Sequence, residues 1–155
     1  MSEQSDSITN AFTILVADRN PHIRAFLGRE LAAEGYRVLT AKGGRNLLRM
    51  LSDGDAPHLL VLDLELPDVS GLQILIELQE RKPLLPVVIH TCRTEYADHP
   101  AVKKAAAFVE KTGNHIDNFK AVIGGMLRKY YPQQAGEGTL HGQAGIKCKA
   151  FVTKT

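Results

Sequence analysis

The sequence predicts an open α/β domain, a parallel sheet with helices on both faces. Three observations carry that prediction. Short apolar segments recur five times in about 120 residues and alternate with segments of helical spacing, the signature of repeated βα units. Four of the five apolar segments end on a polar residue: Asp18, Asp63, Thr91 and Lys111. The run LLVLD over residues 59–63 is apolar throughout and stops at a carboxylate, as expected of a strand buried on both faces.

The elements follow in order. Residues 12–17 form the first short strand, leading into Asp18-Arg19. Asn20-Pro21 starts a helix, with an N-cap residue and a proline at the first helical position. Ile23, Phe26, Leu27 and Leu31 supply its buried stripe, and Gly35 closes it. Residues 36–41 are the second strand, centred on Val38 and Leu39. Gly43-Gly44 turns the chain into a short helix carrying Leu47, Leu48 and Leu51, closed by Asp53-Gly54. After the third strand, residues 67–71 (PDVSG) are turn punctuation, in which Pro sets one φ and Gly frees another. Leu72, Leu75, Ile76 and Leu78 mark the third helix, which ends before Lys82-Pro83. Residues 86–90 are β-branched at Val87, Val88 and Ile89 and form the fourth strand. Pro100, capped by Asp98 or His99, opens a short helix through about Ala105. The fifth strand covers residues 106–110 with Phe108 and Val109, and Lys111 terminates it. Ile116, Phe119, Val122, Ile123, Met126 and Leu127 mark the last helix, which ends near Tyr130-Tyr131-Pro132.

Composition narrows the class. A chain of 155 residues fits one domain with a substantial core, and 44% apolar with 23% charged residues are ordinary globular values. The net charge is +2, and the tail over residues 132–155 accounts for all of it: Lys147, Lys149 and Lys154 against Glu137. The body is neutral, so nothing marks the protein as a general binder of nucleic acid, and three tail lysines are weak grounds for such a partner. Cys92 and Cys148 fit neither a metal spacing nor a disulfide framework, and a reducing compartment is expected. Residues 1–11 are polar, read as a disordered lead-in, and lack the apolar core of a signal peptide. No apolar run approaches the length of a membrane span, so a cytoplasmic protein without a membrane partner is expected. The Gly-rich, polar stretch after residue 131 reads as a flexible tail. The domain proper is then residues 12–131.

In a parallel sheet all carboxyl ends of the strands lie on one edge, where open α/β sheets keep their chemistry. Asp18, Asp63, Thr91 and Lys111 therefore converge from four separate places. At this point the chain resembles the receiver domain of response regulators, the phosphoacceptor module of two-component signalling. The resemblance rests on ILVADRNP (residues 14–21), LLVLDLELPDVSGL (59–72), PVVIHT (86–91) and AFVEK (107–111). It implies a flavodoxin-like, doubly wound five-stranded sheet in the order 2-1-3-4-5. It implies Asp63 as phosphoacceptor, Mg²⁺ held by Asp18, Asp63 and the backbone carbonyl of Glu65, and Thr91 and Lys111 on the phosphoryl oxygens. Thr91 and Phe108 would form the switch pair. The implied donor is a sensor histidine kinase or a phosphotransfer protein, and the output is contact with a downstream protein. A homodimer is left open. Enzyme activity in the ordinary sense is not expected beyond self-phosphotransfer and autodephosphorylation. The logic is physical as well: a carboxylate attacks phosphorus once charge on both partners is neutralised, which a hard, oxygen-liganded cation and an ammonium accomplish.

Three departures stand out. The family pairs two acids after the first strand, whereas this chain has Asp18-Arg19. Arg19 either takes the cation's place against Asp63 or points to solvent, and the charges of Asp18, Asp63, Arg19 and Lys111 cancel unless Glu65 turns inward. Lys111 is followed by Thr112 rather than proline, so a trans bond is expected there. Thr91 and Lys111 lie so close in sequence that the fourth helix keeps about two turns. The leading expectation is a stand-alone receiver acting through protein contacts. The rival is a pseudo-receiver, a phosphorylation-independent interaction module, which Arg19 and the short fourth helix favour. Cys92 is expected to pack partly, and His90 to lie on the strand face opposite Thr91.

Overall fold

Side-chain alternation along the strands sorts the core into two layers. The protein, described here by a computed structural model, is resolved structurally over residues 12–54, 56–92, 94–111 and 116–135. The strands are β1 (Thr13–Ala17), β2 (Arg37–Ala41), β3 (Leu59–Leu62), β4 (Val87–Thr91) and β5 (Ala107–Glu110). They pair in parallel in the order β2-β1-β3-β4-β5, as the sequence led us to expect. In β1, Ile14 and Val16 face one layer, and Leu15 and Ala17 the other; in β3, Leu59 and Val61 oppose Leu60 and Leu62 in the same way. All four β3 residues are buried, each stabilising the fold by about 2 kcal/mol. This central strand cannot shift register without moving both layers.

Helices α1 (Pro21–Ala33) and α5 (Ile116–Tyr130) cover the first layer. Helices α2 (Gly44–Asp53), α3 (Gly71–Gln79) and α4 (Pro100–Lys103) cover the second. Asn20 caps α1 as expected, its Oδ1 accepting from the N–H groups of His22 at 2.8 Å and Ile23 at 3.3 Å. The other end closes in a Schellman turn. Gly35, at φ 99°, donates to the Ala32 carbonyl, and Tyr36 donates to that of Leu31.

The helical stripes need two corrections. Phe26 is 38% exposed rather than core, because Leu27 and Leu31 already fill the buried side of α1; the Arg29 guanidinium lies 6.0 Å from its ring centre. Ile76 is likewise 38% exposed, and Ile74 takes its place beside Leu75 and Leu78. The fourth helix is shorter than expected, a single turn preceded by a 3₁₀ segment, Thr94–Asp98. His99 is its cap, Nδ1 accepting from the Ala101 N–H at 3.1 Å. After α5 the chain makes one more helical turn, α6 (Pro132–Ala135), where the tail was expected to begin. The lead-in, the Lys111–Thr112 bond and the rest of the tail lie outside the described residues.

Candidate functional site

The register places the site. Ala17 pairs with Leu62, so the next residues, Asp18 and Asp63, emerge side by side at the carboxyl edge. The Asp63 N–H donates to the Ala17 carbonyl at 3.0 Å and the Asp18 N–H to that of Ala41 at 3.2 Å, which holds both backbones past the formal strand ends. Thr91 pairs with Glu110, and the Lys111 N–H donates to the Thr91 carbonyl at 2.9 Å. The sheet therefore delivers all four residues to one rim.

Lys111 joins the two acids. Its Nζ lies 2.8 Å from Asp18 Oδ2 and 3.0 Å from Asp63 Oδ2. The remaining carboxylate oxygens are held by amides: Asp18 Oδ1 accepts from Asn20 N–H at 2.9 Å, and Asp63 Oδ1 from Glu65 N–H at 3.0 Å. Both acids are almost completely buried, which requires such pairing. Burial raises the Asp18 pKa above the ordinary range, against the pull of Lys111 and the Asn20 amide. Burial pushes Lys111 down, yet the hydrogen bond and charge of Asp18, with Asp63 behind it, outweigh that and hold the ammonium above its usual value. Lys111 is thus a fixed cation.

Arg19 does not enter the pocket. Its side chain is 59% exposed and swings across the rim to Glu65, Nη2 to Oε1 3.6 Å. Of the two arrangements weighed from sequence, the structure has the outward one, and Lys111 occupies the space beside Asp63. Glu65 offers its side chain to Arg19. The pocket proper, Asp18, Asp63 and Lys111, keeps one net negative charge, more than the cancellation expected when Arg19 was counted in. Among the described residues no three His, Cys, Asp or Glu side chains converge on one point, so a cation here would draw on two carboxylates and a backbone carbonyl.

Thr91 is fully buried at the end of β4. Phe108, opposite Ile89 in the register, is half-buried against the second layer. His90 is buried on the other face, its ring 5.0 Å from that of Phe119, and its Nδ1 has no hydrogen-bond partner. Burial, with the Lys111 charge adding to it, lowers its pKa to about 4. Cys92 is exposed rather than packed, because the strand has already ended.

Two residues of the rim were not singled out from sequence. Arg24 Nη1 donates to the Asp18 carbonyl at 2.8 Å and so fixes the first acidic loop. Asp68 caps a helix that is not its own: Oδ1 accepts from Gly44 N–H at 2.6 Å and Oδ2 from Arg45 N–H at 3.1 Å. Those amides lower its pKa. The signal was present in Gly43-Gly44, a helix start that lacks a capping side chain of its own.

The carboxyl edge of this open α/β sheet thus presents two buried acids bridged by one lysine. The family model described as response regulator receiver domain matches residues 14–122, and the chain belongs to that family. The transcriptional regulatory protein GlrR of Escherichia coli is 33% identical over 95 residues, 61% of this chain and 21% of that protein. The response regulator MprA of Mycobacterium bovis is 31% identical over 126 residues, 80% of this chain and 54% of that protein. The chain thus spans about a fifth and about half of these relatives' lengths. Among solved structures, the response regulator TrrA of Thermotoga maritima with Mg²⁺-BeF matches at TM-score 0.69 and 32% identity, covering 75% of this chain and 99% of that one. TrrA in complex with the histidine kinase ThkA matches at TM-score 0.68.

Proposed function

We propose that this receiver domain accepts a phosphoryl group on Asp63 from the phosphohistidine of a sensor histidine kinase or phosphotransfer protein. The observation that carries this reading is the Lys111 bridge, which fixes Asp63 and sets a cation against its carboxylate. An Asp63 oxygen bonds to phosphorus as the phosphorus–nitrogen bond to the donor imidazole breaks, and that nitrogen takes up a proton. No base is needed, since the nucleophile is already a carboxylate. In this reading Lys111 offsets the charge of the transferred group, and the Thr91 hydroxyl would donate to a phosphoryl oxygen.

Asp18 and Asp63, with the Glu65 carbonyl as a third hard oxygen donor, would form a set that fits Mg²⁺ retaining several waters. When bound, the cation would offset the charge shared by acceptor and phosphoryl group. With Glu65 paired to Arg19, the site holds it less tightly than one with a third acid. The TrrA structure with Mg²⁺-BeF supports this assignment, and its complex with ThkA supports the kinase as partner. The exposed thiol of Cys92 favours a reducing, cytoplasmic setting. The output is a change of protein contacts.

The test is phosphorylation by a small donor such as acetyl phosphate, read by intact mass. The wild type gains one phosphoryl group in the presence of Mg²⁺, and Asp63→Asn gains none. An unmodified wild type, or an equally modified Asp63→Asn, overturns the assignment.

A further inference from the structure

A second feature lies beside the carboxylate pocket and shares Arg19, Arg24 and Asp68 with its rim. The loops after β1, β2 and β3, the first turn of α1 and the first turns of α2 line an open cleft of about 470 Å³. Arg19, Arg24, Lys42, Arg45 and Arg49 line it, with Asp68 as the carboxylate among its walls. Five cations gather in one concavity of a body whose net charge is zero.

Stability does not account for the grouping. Arg45 and Arg49 stand one turn apart on α2, a like-charge spacing that destabilises an isolated helix. Among the described residues, Lys42, Arg45 and Arg49 have no carboxylate within ion-pair distance, and the Asp68 oxygens are already taken by the Gly44 and Arg45 amides. Arg24 is anchored through the Asp18 carbonyl, so one guanidinium is already positioned. A cleft of this size falls in the range of small-ligand sites, about 300–1,000 Å³. Guanidinium forks match phosphate oxygens two at a time. No aromatic side chain lines the described cleft, so a stacked single strand would lack its platform.

We propose that this cleft binds a small, multiply charged phosphate compound, a nucleotide or a short polyphosphate. Its phosphates sit among Arg24, Lys42, Arg45 and Arg49, with Arg19 at the boundary to the carboxylate pocket. The charge on the phosphate chain anchors the ligand among these cations.

The test uses the full chain without Mg²⁺, titrated with sodium tripolyphosphate and, separately, with ATP, while amide resonances are followed. Both probes should give saturable shifts centred on Lys42, Gly43, Arg45 and Asn46. The Arg45→Gln/Arg49→Gln double variant, which keeps the backbone amides that Asp68 caps, should bind about tenfold more weakly. Its thermal midpoint should be unchanged or slightly raised. Equal midpoints for the two probes identify the phosphate chain as the whole determinant, and a tighter ATP midpoint identifies a nucleotide; either supports the proposal. A linear response matching sulfate at equal ionic strength overturns it. So does an unchanged midpoint in the double variant, or tighter binding of polyglutamate of matched charge, which would assign the cleft to an acidic protein segment.

Discussion

Lys111 spans 2.8 Å to Asp18 and 3.0 Å to Asp63, and this single ammonium decides how the pocket behaves. Replacing it by Met leaves two buried acids facing each other. Lys111→Met should therefore bind Mg²⁺ at least about tenfold more tightly, while phosphorylation of Asp63 slows; metal titration and phosphotransfer rates measure the two effects separately. Arg19→Asp should also tighten Mg²⁺ binding, by roughly tenfold, since it replaces a cation on the rim with an acid. Equal binding would make Arg19 a bystander. His90 gives a pH signature. Its folded-state pKa of about 4 lies below the unfolded value, so the unfolded chain binds its proton first as pH falls. Stability is full above about pH 6.5 and is lost between there and about pH 4, by about 3 kcal/mol in all. The raised pKa of Asp18 acts in the opposite direction, so urea midpoints of wild type and His90→Phe are compared across that window. The variant should lack most of the acid-side loss. Residue identity announced the four strand-end groups, but not where Arg19 would go. It is Lys111, distant in sequence, that occupies the space beside Asp63.

At the scale of elements, the loop between β3 and α3 carries more constraint than its turn-like composition suggests. Gly71 does not supply a positive φ, since Gly35 alone among described residues has one. A Cβ on Gly71 would lie 2.6 Å from Leu64 Cα and 2.7 Å from the Asp63 carbonyl oxygen. Those neighbours are backbone and cannot yield cheaply, so Gly71→Ala should cost about 2–3 kcal/mol in urea unfolding and disturb Asp63 directly. Asp68→Ala should lower the unfolding midpoint by uncapping α2, without touching the pocket acids. Strands and the Asn20 cap were legible because alternation and capping are local rules. The Asp68 bridge was not, since it joins residues 23 and 24 positions apart across two loops. The single turn of α4 was legible only as a shortage of residues between Thr91 and Lys111.

For the whole molecule, two apolar layers fix a five-stranded sheet, and the sheet fixes the pocket. The strand order follows from this chemistry as much as from packing: β1, β3 and β5 must all end near one point for Asp18, Asp63 and Lys111 to meet. The central claim, that Asp63 is a working phosphoacceptor, is tested most directly by recording amide spectra with Mg²⁺ and beryllofluoride together. The account predicts shifts around Asp63, Thr91 and Lys111 in the wild type, absent in Asp63→Asn. A wild-type spectrum unchanged at saturating Mg²⁺ and beryllofluoride would contradict it.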